Sequence, residues 1–137
     1  MSDFAAIRSG LKTLLGGISG LNVHDFAPDT ISAPAVVVTP VGDGVFLDYD
    51  STFDGDSDDL AFTLHLFVER RNDEAAQNEL DGYLARSGAL SIFAAVNNGT
   101  VAGTHFAVVE RARDYGDYTY ASELFLGCQF DVFVSAP

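Results

Sequence analysis

Between Lys12 and Arg70 the chain contains no lysine or arginine, while the same stretch holds ten Asp and Glu, seven of them Asp within residues 43–59. A net charge of -13 over 137 residues repels phosphate backbones, and the chain lacks the basic stripe through which DNA binders release counterions. A simple electrostatic grip on nucleic acid is thereby ruled out. Cysteine is equally scarce, and the single Cys128 permits neither an intramolecular disulfide nor a multi-thiolate zinc site, which points to a reducing compartment. No apolar run approaches the roughly 20 residues of a membrane span. The opening MSDFAAIRSGLKTLLGG has no basic start, continuous apolar run or small-residue cleavage site of a secretory signal. The expectation is a protein made in the cytosol with no membrane partner.

What the chain does have is enough apolar material, 47% of its residues, to build one real core. Composition shows no second domain, repeat or linker, so a single domain over residues 1–137 is expected. Phe4, Ile7, Leu11, Leu14 and Leu15 recur at helical spacing ahead of Gly16-Gly17, which predicts an amphipathic first helix. Residues 22–26 and 35–39 are apolar, β-branched runs bracketed by Pro28, Pro34 and Pro40 and predict strands, with a shorter one at 45–49. Residues 50–59 are too rich in Asp, Ser and Gly to be buried and predict a loop.

The alternation of Leu60, Phe62, Leu64, Leu66 and Val68 with Ala61, Thr63, His65, Phe67 and Glu69 predicts a sheet strand with one wholly apolar face. Asn72 with Asp73 and Glu74 reads as the start of a helix whose inward stripe is Ala76, Leu80, Tyr83 and Leu84. Ser91 reads as the cap of a short helical piece over 92–96, for which a strand is the alternative. Residues 106–113 and 118–134 predict two closing strands around a hairpin turn at Asp114-Tyr115-Gly116-Asp117. The expected architecture is α+β, a mainly antiparallel or mixed sheet with an N-terminal helix and a central helical segment packed on it.

No reaction centre is visible. A calcium loop at the Asp cluster fails on spacing, because starting an EF-hand at Asp48 puts Phe53 at the turn-glycine position, starting at Asp54 puts Asp59 there, and neither register ends on Glu. His24, His65 and His105 lie in separate predicted strands or strand starts without the paired spacing of metal ligands, and His65 reads as a hydrogen-bonded structural histidine. Cys128 shares the apolar face with Leu126 and Phe130 and reads as buried and inert. The glycine pairs match neither a dinucleotide fingerprint nor a Walker loop. No enzyme activity, cofactor or metal is therefore expected, since no nucleophile, base and orienting partner can be nominated.

Candidate residues instead suit an interaction surface. Arg70, Arg71, Arg111 and Arg113 stand at or near predicted strand ends, either solvated or paired with the acidic loop of a neighbouring copy through bidentate contacts. Asp50, Asp54, Asp56, Asp58 and Asp59 form one repulsive edge. Phe67, Phe125 and Phe133 leave the nominally outer strand faces partly apolar, to be covered by the helices or by a neighbouring subunit.

The block Asn78-Glu79-Leu80-Asp81-Gly82-Tyr83-Leu84, continued by Gly88-Ala89-Leu90-Ser91-Ile92, follows a strand ending in Glu69-Arg70-Arg71 and precedes the long strand from Tyr120 to Val134. In this order of elements and in length, over nearly the whole chain, the sequence resembles the tail terminator proteins of long-tailed bacteriophages, the lambda-type minor tail family. The resemblance implies a structural virion protein at the head-proximal end of the tail, assembled in the host cytoplasm. Such a protein forms a homo-oligomeric ring, usually hexameric, on the tail tube protein. It ends tube growth and meets the head-tail connector proteins. An acidic channel in that ring would let DNA slide without tight binding, since carboxylates repel phosphates. Another head-tail connector or stopper, or a tail tube protein, is an alternative of similar size. A small acidic ligand- or calcium-binding module is a third reading.

Overall fold

A computed structural model describes residues 4–25, 28–40, 47–49, 58–69, 73–101, 104 and 106–136. Among the described residues the order is α1 (Phe4–Leu15), β1 (Asn22–His24), β2 (Ala35–Pro40), β3 (Leu47–Tyr49), β4 (Asp58–Glu69), α2 (Asp73–Leu84), α3 (Ile92–Asn97), β5 (Phe106–Tyr120) and β6 (Glu123–Ala136). The strands form one sheet in the order β1-β2-β4-β6-β5, with β3 also pairing β4. The sheet is mixed because β1 joins β2 in parallel, while the remaining pairings are antiparallel. This is the α+β single domain that the periodicities predict.

All three helices contribute to one core. Helix α1 contacts β1 and β2, α2 contacts β4 and β6, and α3 contacts β5. Ile7, Leu11 and Leu15 on α1, Ala76, Leu80 and Tyr83 on α2, and Ile92 and Val96 on α3 are buried against the stripe Leu60, Phe62, Leu64, Leu66 and Val68 of β4. Each large apolar side chain so removed from water contributes roughly 1.5–3 kcal/mol, several times what an exposed ion pair adds. Helical spacing in α1 and two-residue alternation in β4 therefore dictate which faces meet. Ser91 resolves the segment after α2 as a helix, since its Oγ accepts from Ala94 N at 3.0 Å while donating to the Ala85 carbonyl. Gly88, at a φ of 113°, makes the bend between the two helices that a side-chain-bearing residue would resist.

The closing hairpin differs from the sequence expectation. Strand β5 runs through 114–117 to Tyr120, and the chain reverses at Ala121-Ser122, with φ of 51° and 70°. Residues 114 and 115 instead lie at a register shift between Arg113 and Gly116, where Asp114 takes a φ of 57°, a conformation that Asp tolerates better than most residues, and 116 and 117 pair with Gly127 and Leu126. A two-residue hairpin loop favours left-handed backbone at both positions, because that twist matches the flanking strands, and Asn-Gly supplies it with least strain. Ala and Ser there each carry a left-handed penalty of order 1 kcal/mol. Replacing Ala121-Ser122 by Asn-Gly is thus expected to raise stability by about 1 kcal/mol. A denaturant midpoint unchanged or lowered at constant m-value would show that the turn is not strained.

Candidate interaction surface

The sheet face away from the helices carries the candidate residues, because the alternation that buries one face of β4 and β6 sends their other residues outward. Three zones follow one another along it. At one end, Val37, Phe67 and Phe125 form a second buried cluster, packed by Ile31, Ala33, Tyr118 and Tyr120. Tyr120 donates a hydrogen bond to the Pro28 carbonyl, and Asn22 Nδ2 donates to the Ser32 carbonyl at 2.7 Å, which hold residues 28–34 over this cluster. Phe67 and Phe125 are therefore 2% and 4% exposed within the chain itself. This corrects the expectation for both: neither the helices nor a neighbouring subunit is needed to cover them.

The middle zone is polar. Asp131 on β6 accepts from Arg113 Nε at 2.9 Å through one oxygen and from Arg111 at 3.2 Å through the other. Arg113 also donates to Asp114 at 2.7 Å. These carboxylate contacts, led by the hydrogen bond that Asp131 accepts, hold the Arg113 guanidinium above its usual pKa. Arg111 and Arg113 thus stand mid-strand with a carboxylate of their own chain, not at a strand end. Arg111→Glu with Arg113→Glu would break this internal clamp together with any contact between copies, so that pair is a poor probe of assembly.

His65 lies in the same zone. Its ring stacks on Phe67 at 4.1 Å and meets the edge of Tyr118 at 4.4 Å, and its Nε2 has no hydrogen-bond partner, contrary to the expected hydrogen-bonded histidine. Burial first, and then the charge of Arg113, lower its pKa to about 4 against the opposing pull of Asp114.

At the far end, Phe106 is 49% exposed and its ring lies 5.9 Å from that of half-buried Phe133. Asp59 adjoins them, since it is exposed, pairs in register with Ser135, and Ser135 in turn pairs with Phe106. Across β3, Asp59 pairs in backbone register with position 48. Asp58 is paired with Ala136 at the start of β4. Asp50, Asp54, Asp56, Arg70 and Arg71 lie outside the described residues, as do Asn72 and His105. Of the expected site, then, the structure brings together Asp59, Phe133 and the Arg111–Arg113 pair on one face.

Sequence reasoning missed Arg86. It follows α2 and places its guanidinium 5.3 Å above the Phe93 ring, across a link whose residues show no periodicity that would have paired them. Both residues border a cavity of about 190 Å³ with Leu84, Phe130 and residues 109–112 of β5. Among the described residues no group of three His, Cys, Asp or Glu could hold a metal ion. Buried Cys128 has its thiol pushed up to about 12 by desolvation, which keeps it un-ionised at neutral pH. No helix among the described residues is long and apolar enough to cross a membrane. No known protein-family model matches the chain, and no curated protein sequence matches it.

Proposed function

We propose that this chain is a structural protein of a long-tailed bacteriophage that caps the tail tube, ends its elongation and presents the surface that joins tail to head. The carrying observation is the far end of the outer sheet face, where exposed Phe106 and half-buried Phe133 adjoin exposed Asp59. An apolar centre beside a charged rim suits a subunit interface. A six-membered ring of such subunits would carry six times -13 in formal charge, which supports placing the Asp-rich edge on a channel or an axial end. Carboxylate walls there would let DNA pass without sticking.

Electron microscopy of particles assembled without the protein tests this reading. Tails of excess and variable length are expected. Tails of normal length on emptied heads would assign a head stopper instead, and particles lacking tail tubes would assign the tube subunit.

A further inference from the structure

The cavity beside β5 is framed by two cations in a chain that has only seven, and it shares only Arg111 with the outer-face surface described above. At about 190 Å³ it is smaller than the ~300–1,000 Å³ typical of cofactor and small-molecule pockets and suits a single large side chain. Its floor is apolar, from Leu84, Phe93 and Phe130, and its rim carries Arg86 and Arg111. Arg111 is already balanced by Asp131, and Glu110 stands beside it on the rim. Arg86 has no carboxylate partner among the described residues and has its Cζ over the Phe93 ring, a cation–π contact that uses none of its N–H donors on an acceptor.

Among the described residues strand β5 is also an edge of the sheet, paired only with β6. Its outward groups are not freely available as a ladder. Asn97 Oδ1 accepts from Val109 N at 2.8 Å, and register shifts between Val109 and Arg111 and between Arg113 and Gly116 leave only 111–113 as a regular run between them, beside the cavity. Long strand addition is blocked by such irregularities. Any guest must be held mainly by its side chains, an apolar one in the cavity and carboxylates on the rim.

We infer that this groove receives the acidic stretch 50–57 of a second copy, Asp-Ser-Thr-Phe-Asp-Gly-Asp-Ser, with Phe53 in the cavity and its flanking Asp50 and Asp54 at Arg86. The stretch combines the two chemistries the groove asks for, one aromatic anchor among carboxylates, and it connects β3 to β4 in every copy. Aromatic and arginine contacts of this kind dominate interface energies. The inference rests on the ring reading of the function but concerns only how one copy grips the next.

The test uses the full-length protein and a fluorescein-labelled peptide, DSTFDGDS, read by anisotropy at low salt. Saturable binding is expected, weakened about tenfold by Arg86→Glu and retained largely in Arg86→Lys, as loss or retention of a close charge pair requires. Phe53→Ala in the peptide should weaken it about as much. Arg8→Glu, an equal charge change elsewhere, should leave binding unaltered, and thermal melts of each variant confirm folding. Absence of saturable binding, equal losses from Arg8→Glu and Arg86→Glu, or indifference to Phe53 would overturn the inference. Peptide binding without any tail-length phenotype would leave the groove standing and remove the terminator role, whereas overlong tails without peptide binding would do the reverse.

Discussion

Gly127→Ala is expected to destabilise the protein by about 3 kcal/mol or more, in the upper range for overpacked cores, because the added carbon would fall on backbone. A Cβ at Gly127 would lie 2.2 Å from the Leu66 carbonyl oxygen and 3.3 Å from Tyr118 Cδ2. The tyrosine ring can turn aside, but the carbonyl belongs to β4 and can retreat only if β4 and β6 separate. Those two strands share the register from Asp58↔Ala136 to Glu69↔Phe125, so a local separation loosens the centre of the sheet. It also opens the cluster of Phe67, Phe125 and Tyr118, since Gly127 pairs with Phe67 in that same register. The cross-strand partner supplies the control. Gly116 pairs with Gly127, yet a Cβ there meets nothing within 4 Å. Gly116→Ala should therefore be neutral or slightly stabilising, by a few tenths of a kcal/mol through the unfolded chain. Chemical denaturation of both variants decides the matter, and similar midpoints for the two would refute the close approach of β4 and β6.

The contrast between these glycines shows what the sequence could and could not disclose. Helix α1 and strand β4 were legible because each buries one face against the core, and burial writes its period directly into the residue order. Ser91 was legible because a cap needs only a local hydroxyl at the right spacing. The hairpin was not, because the residues with the strongest turn chemistry, Asp114 to Asp117, lie within β5, the first two of them at a bulge, while Ala121 and Ser122 accept a conformation their side chains disfavour. That one displacement hid the polar zone. A turn centred on Tyr115-Gly116 would set Arg111 opposite Tyr120, whereas reversal at Ala121-Ser122 sets it opposite Asp131. The covering of Phe67 and Phe125 was illegible for another reason. An outer face that alternates apolar residues states that something covers it, but not that Ile31, Ala33 and two tyrosines of the same chain do so. Arg86 and Phe93 carried no signal, since they sit on separate elements joined by an irregular link.

His65 is expected to make stability fall as the solution is acidified from pH 6.5 to 4, by about 1–2 kcal/mol once solvent screening of its partly exposed ring is allowed for. Its folded pKa is lowered to about 4, while an unfolded histidine titrates near 6.5. Below pH 6.5 the unfolded chain therefore gains a proton that the folded chain refuses, so the contribution is intact above that pH, declines through the window and levels off below about 4. Two features of the site oppose protonation: the ring is sandwiched against Phe67 and Tyr118, and Arg113, fixed by Asp131, adds positive charge nearby. Asp114 pulls the other way and is the weakest of the named influences. The many carboxylates of the chain also titrate on acidification, and easing their mutual repulsion acts in the opposite sense, so the wild-type profile alone mixes the two. His65→Phe separates them. Phenylalanine keeps the stacking and removes the titrating nitrogen whose Nε2 lacks a partner, so at pH 7.5 the variant should match or slightly exceed the wild type. The difference in unfolding free energy between wild type and variant should then grow steadily from pH 6.5 to 4.5 in favour of the variant. Parallel profiles across that range would mean that His65 is protonated in the folded state as readily as in the unfolded chain, and that its aromatic sandwich does not exclude charge.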